Sequence, residues 1–100
     1  MAKVIVMYDQ PTDKEAFEKY YFEAHVPLAQ KVPNLIGAEI HRVLQSINNE
    51  GDPYLFVELH FENPDTMSLA LSSPEWEATA GDVQNLMPYL SKPPVISLVD

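Results

Sequence analysis

His25 begins the segment His-Val-Pro-Leu, two residues before Pro27, and imidazole is the side chain that gains or loses a proton near neutral pH. Beside a proline that frees helix carbonyls, such a ring can hold one tautomer by donating from one nitrogen. It then presents the other nitrogen as general base or acid. It can equally do no more than satisfy those carbonyls at the edge of an apolar stripe. His41, Glu58 and His60 form a second ionisable set. Three such residues without a tight spacing motif are more often solvated or ion-paired than metal-bound, so no metal is expected, and no haem on His25. Glu58 in a mostly apolar cleft would have its pKa raised, which makes it a candidate acid. Tyr8, Tyr54, Phe56 and Trp76 are large enough to floor an aromatic-binding pocket, though such residues more often serve as plain core. Asp82 reads locally as a cap or as an ion-pair partner of Lys31 or Arg42.

These residues must be positioned by a small number of elements. Ala2 to Tyr8 is β-branched, apolar and halted by Asp9, Gln10 and Pro11, which predicts a first strand. Thr12 followed by Glu15 has the spacing of a capping box, and Phe17, Tyr21, Ala24, Leu28 and Val32 then recur at helical spacing. Pro27 cannot donate to the Glu23 carbonyl, so a kink is expected near His25. Pro33, Asn34 and Gly37 end the helix, and Ala38 to Ile47 reads as a second strand. Residues Asn48, Asn49, Glu50, Gly51, Asp52 and Pro53 have the composition of a hairpin loop. In the third strand, Tyr54 to Phe61, residues Leu55, Val57, Leu59 and Phe61 make one wholly apolar face, and Tyr54, Phe56, Glu58 and His60 make the other. Asn63 and Pro64 start a helix that Ser72, Ser73 and Pro74 break; another runs from Pro74 past Trp76 toward Leu86, and Val95 to Val99 is a last strand.

The order strand, helix, strand, strand, helix, strand predicts an α+β fold of the ferredoxin-like split βαβ type, with helices on one face of an antiparallel sheet. The mixed apolar and ionisable second face calls for a cover, and a symmetric second copy packed sheet to sheet would close a barrel. A chain of 100 residues fits one domain, 1–100, whose core is too small to sustain a large internal cavity. Fifteen acidic residues against six basic ones, net charge -9, argue against nucleic acid and anionic membranes as partners. No apolar run approaches the roughly 20 residues that span a bilayer. The opening residues do not have the pattern of a signal peptide, and the absence of cysteine removes disulfides, thiolate nucleophiles and thiolate metal sites, which favours a cytoplasmic location. With only three glycines there is no dinucleotide or Walker loop, and no cofactor is expected.

The run from Phe17 through His25-Val26-Pro27-Leu28-Ala29, then Lys31-Val32-Pro33-Asn34-Leu35, Ser73-Pro74-Glu75-Trp76 and Ala80-Gly81-Asp82-Val83-Gln84-Asn85, resembles the EthD family over nearly the whole chain. Asn34 stands where family members often have glycine. The resemblance implies a dimeric α+β barrel, a cleft beside the sheet, His25 as a site residue and Asp82 as part of the family pattern. It also implies a place among polyketide cyclases, decarboxylases, cofactor-free monooxygenases and lactone isomerases. The expected function is therefore a cofactor-independent homodimeric enzyme acting on a small aromatic or polyketide-like compound by decarboxylation, cyclisation or isomerisation, or as an oxidoreductase in ether or aromatic catabolism. His25 would be catalytic, and Tyr8, Tyr21, Tyr54, Phe56, Glu58, His60, Trp76 and Asp82 would bind substrate. The alternative is a non-catalytic accessory protein that delivers a small hydrophobic compound to an oxygenase.

Overall fold

A computed structural model of the chain describes residues 1–49 and 51–100. Its elements are β1 (Ala2–Asp9), α1 (Lys14–Tyr20), a π-helical turn (Tyr21–His25), α2 (Val26–Ala29), β2 (Gly37–Arg42), β3 (Pro53–Phe61), α3 (Pro64–Leu71), α4 (Pro74–Gly81), α5 (Val83–Leu86), a 3-10 turn (Met87–Tyr89) and β4 (Val95–Val99). The strands form one antiparallel sheet in the order β2-β3-β1-β4, the ferredoxin-like α+β arrangement.

Alternation along the strands decides which side is covered. Ala2, Val4, Val6 and Tyr8 of β1 pair with Phe61, Leu59, Val57 and Leu55 of β3, and all eight are buried beneath the helices. Phe17, Tyr21, Met67, Ala70, Leu86 and Leu90 complete this core, where each fully buried large apolar side chain contributes about 1.5–3 kcal/mol. Tyr8, Phe17 and Tyr21 meet as an aromatic trio with ring centroids 5.4–5.6 Å apart. The opposite face carries Lys3, Ile5 and Met7 on β1, Glu39 and His41 on β2, Phe56, Glu58 and His60 on β3, and Val95, Ser97 and Val99 on β4.

Several boundaries differ from the sequence reading for identifiable reasons. Asp13, not Thr12, caps α1: its carboxylate accepts from the Ala16 amide at 3.1 Å and also sits well at the positive end of the helix dipole. Thr12 instead donates its backbone N–H to Tyr89 at 2.8 Å. β2 ends at Arg42 rather than Ile47. Val43 still donates its backbone N–H to Tyr54 at 2.8 Å, but beyond it nothing covers the chain, and Leu44 and Ile47 are left 98% and 79% exposed among the described residues. Within the expected hairpin loop Asn48 adopts φ 58°, while Glu50 lies outside the described residues. Asn63 caps α3 with Pro64 at its first position, as expected, and Ser73, read from the sequence only as part of a break, caps α4 ahead of Pro74.

Asn34 has φ 65°, the left-handed region that glycine enters freely and asparagine tolerates. Replacing it by alanine should cost about 1 kcal/mol, while Asn34→Gly should cost nothing beyond error. Urea unfolding of the two variants beside the parent protein measures the difference.

Candidate active site

The helix that carries His25 is distorted where Pro27 demands it. Proline provides no N–H for the Glu23 carbonyl and crowds it, and the backbone responds by opening to a π turn in which the Val26 N–H reaches back to Tyr21. The expected kink thus takes the form of one extra residue in a turn. Phe17, Tyr21 and His25 follow one another at four-residue spacing, and the widened turn sets His25 squarely on the inward face, where it is 6% exposed while Ala24 is only half-buried. Tyr21 and His25 consequently stack, with ring centroids 5.4 Å apart and planes inclined by 24°.

His25 Nδ1 lies 2.9 Å from Asp82 Oδ2, and both side chains are buried. Asp82 stands at the break between α4 and α5. Its other oxygen accepts from the Tyr20 hydroxyl at 2.5 Å and from Asn85 Nδ2 at 2.8 Å. Burial pushes the Asp82 carboxyl up, but the hydrogen bonds from Tyr20, Asn85 and His25 outweigh it and hold the group below the ordinary aspartate range. An ionised carboxylate only accepts, so the His25 proton resides on Nδ1 and the Nε2 lone pair is left as the basic position. The Asp82 reading as a partner of Lys31 or Arg42 is replaced by this arrangement; Arg42 pairs with Glu18 at 2.5 Å.

His25 faces a cleft between the helices and the inner face of the sheet, about 430 Å3 counted out to its open mouth, walled by Val6, Tyr8, Tyr21, Val57, Leu59 and Trp76. A second, open hollow adjoins it, about 620 Å3 when the solvent at its mouth is counted in the same way, sharing Tyr21, Ala29, Val57 and Leu59 and extending to Leu35 and Ile40. Burial raises the Tyr8 hydroxyl pKa, with Tyr21 and Asp82 adding to it, and burial alone raises that of Tyr21. Both phenols therefore remain neutral donors at any working pH. The site thus combines an oriented imidazole, apolar walls and a few polar groups, the makeup of a small-molecule pocket.

Of the residues singled out from sequence, Tyr8, Tyr21, Trp76 and Asp82 gather around His25. Phe56, Glu58 and His60 do not, because Val57 and Leu59 take the inward positions of β3 and the alternate residues point to the other side of the sheet. Lys3, donating to Glu58 at 3.1 Å, holds that carboxyl below the ordinary range, so Glu58 is ionised rather than the neutral acid anticipated from an apolar setting. Tyr54 leaves the face assigned to it. The ladder shifts register between Tyr8 and Asp9, and Tyr54 turns toward α1, packs edge-on against Phe17 at 6.1 Å and donates to Glu18. Tyr20 and Asn85 were not legible as partners of Asp82. Tyr20 is 62 positions away in the chain and lies off the apolar stripe, and only the three-residue spacing of Asp82 and Asn85 offered a local signal.

The depressed Asp82 carboxyl sets an acid dependence. A group whose pKa is lower in the folded chain contributes stability above its unfolded value, near 3.9, and loses it as pH falls toward the folded value. Acid unfolding of Asp82→Asn should therefore show a shallower loss of stability below about pH 4 than the parent protein, measured by urea midpoints across that range.

A family model described as the EthD domain matches residues 9–88. An uncharacterized 11.0 kDa protein in the thcB–thcC intergenic region of Rhodococcus erythropolis is 32% identical over 85 residues, covering 85% of this chain and 82% of that protein. The crystal structure of an EthD ("ethyl tert-butyl ether d") family protein from Bacillus halodurans C-125 superposes with a TM-score of 0.86 at 30% identity, covering all of this chain and 97% of the other. A dimeric ferredoxin-like protein of unknown function from Thermobifida fusca YX superposes with a TM-score of 0.67 over 97% of this chain and 87% of its own, and at 15% identity it speaks to the fold alone. The span of the family model and the two relatives at 30% identity or more place this chain in the EthD family.

Proposed function

We propose that the protein is a homodimeric enzyme that works without a nucleotide cofactor and carries out proton-transfer chemistry, such as decarboxylation, cyclisation or isomerisation, on a small aromatic or polyketide-like compound. The observation that carries this reading is the His25–Asp82 pair: a buried carboxylate at 2.9 Å orients the imidazole and leaves Nε2 as the basic atom beside an apolar cleft. Asp82 also stabilises the imidazolium formed when His25 takes a proton, so it acts as a positioning residue. Tyr21 fixes the plane of the ring by stacking, and Tyr8, Tyr21 and Trp76 offer aromatic walls against which a flat substrate packs. Rate enhancement would come from holding the reacting carbon near Nε2 and from a single proton transfer.

The outer face of the sheet supports the dimer. Ile5, Met7, Phe56, Val95 and Val99 lie together there with no helix over them among the described residues, and Val95 and Val99 are 57% and 40% exposed. A second copy packed sheet to sheet would bury this surface, the remedy an antiparallel sheet with an apolar outer face requires. Family membership supports a small-molecule role, and the name of the Bacillus halodurans relative contains an ether, so short ethers belong beside phenols and aromatic acids in any ligand panel.

The test is a titration of protein carrying 15N-labelled histidine with that panel, followed by a co-crystal structure with the best binder. A ligand lying within hydrogen-bond reach of His25 Nε2, and converted to product on incubation, supports the enzyme. A ligand held there but recovered unchanged favours the accessory carrier. No ligand in the cleft removes both readings.

A further inference from the structure

On the far side of the sheet from His25, Glu39, Glu58 and His60 converge. Glu39 and Glu58 are directly opposed across the β2–β3 ladder, a placement of like charges that is unfavourable unless cationic groups offset it. His60, the next same-face residue along β3, brings Nε2 to 3.6 Å from Glu58 Oε1 and 3.9 Å from Glu39 Oε2. That nitrogen is buried and has no hydrogen-bond partner among the described residues. Both separations are too long for a hydrogen bond, yet each is shorter than two metal–ligand bonds of about 2.0–2.2 Å placed end to end. One ligand atom from each of the three residues lies within 4.8 Å of the others. His41 stands beside them, with Nε2 3.2 Å from Glu58 Oε2 and 3.7 Å from Glu39 Oε2. Lys3, 3.1 Å from Glu58 Oε1, neutralises one carboxylate and leaves the other in a chain of net charge -9.

We propose that this cluster is a divalent transition-metal site that takes Zn(II) through His60 Nε2 and one oxygen each from Glu39 and Glu58, with His41 in reach as a fourth ligand. The donor set carries the argument. An imidazole nitrogen with two carboxylates suits zinc and its transition-metal neighbours, whereas magnesium and calcium take oxygen ligands. The Glu39 side chain is 56% exposed, so it is free to close the remaining fraction of an ångström. His60 Nε2 is buried, faces two carboxylates and has no hydrogen-bond partner among the described residues, and in the neutral ring with its proton on Nδ1 it offers a lone pair to a metal held between them. The site lies on the opposite face of the sheet from the His25 cleft and does not rest on the reading of that cleft; it is on the face that the proposed dimer covers, so in the dimer it sits at the seam between the two copies.

Chelator-stripped full-length protein titrated with zinc chloride in a calorimeter, near neutral pH, is the test. One zinc per chain is expected. Glu39→Gln and His60→Gln should each weaken binding by about tenfold or more, while His25→Gln should leave stoichiometry and affinity unchanged. Glu39 is exposed in the single chain, so its replacement does not endanger the chain's own fold, and thermal unfolding and the oligomeric state of each metal-free variant check this. Absence of zinc binding by the parent protein overturns the proposal, as does unchanged binding in Glu39→Gln or His60→Gln, or loss of binding in His25→Gln.

Discussion

Replacing His25 by glutamine is expected to reduce turnover of whichever compound in the panel is converted by about 10²–10⁴-fold, the range associated with loss of a positioned acid–base group. Binding of the same compound should change by much less. Glutamine roughly preserves the length of the imidazole and can still hydrogen-bond Asp82, so the carboxylate at 7% exposure is not stranded without a partner. The walls Val6, Tyr8, Val57, Leu59 and Trp76 are untouched. Steady-state kinetics therefore separate the two proposed roles: kcat falls with KM nearly constant if His25 moves a proton. Should the variant turn over as fast as the parent, the proton-transfer assignment fails. Should affinity collapse in a protein that never showed turnover, His25 is an anchor in a carrier.

Asp82→Asn should produce the second-largest loss, about 10²-fold or more in kcat, although Asp82 does not line the cleft. The carboxylate can only accept, which forces the His25 proton onto Nδ1; an amide in the same place can present its NH2 group and force the proton onto Nε2, converting the base into a donor aimed at the substrate. The charge that stabilises the developing imidazolium disappears as well. Histidine 15N chemical shifts, which distinguish the two tautomers, provide a readout that simple loosening of the fold would not produce. The parent protein should have the proton on Nδ1 and the variant on Nε2. Retention of the Nδ1 tautomer together with full activity would remove Asp82 from the mechanism. Tyr20 and Asn85 both donate to the opposite oxygen of Asp82, so in the variant they retain the amide oxygen there and leave the NH2 group facing His25.

The chain itself determined a good deal. Period-two alternation in β1 and β3, the proline and asparagine starts of the later helices, and the polar breaks between them follow from short-range physics, since each rests on the conformational preference of a few adjacent residues. These preferences established the element order and hence the ferredoxin-like fold. The charge balance, the missing cysteines and the His-Val-Pro-Leu segment were likewise readable. Strand ends were less so. Whether β2 continues past Arg42 depends on what packs against the residues that follow, and Leu44 and Ile47 find no cover among the described residues. Glu58 illustrates the same point electrostatically: its alternation was legible, but the Lys3 ammonium that keeps it ionised arrives from β1, 55 positions earlier.

Only the folded backbone decided which residues meet. The helical stripe counted at regular spacing ran through Ala24, with His25 beside it. Pro27 removes one N–H from the helix, the turn before it widens by a residue, and His25 is seated on the inward face against Tyr21 while Ala24 stays half-buried. That seating, together with the arrival of Asp82 from 57 positions down the chain, turns a histidine near an apolar stripe into an oriented base in a cleft. A proline is visible in any sequence. The rotation it imposes on its neighbours, and the partner that rotation finds, arise only when distant segments compete to fill one volume at close-packed density.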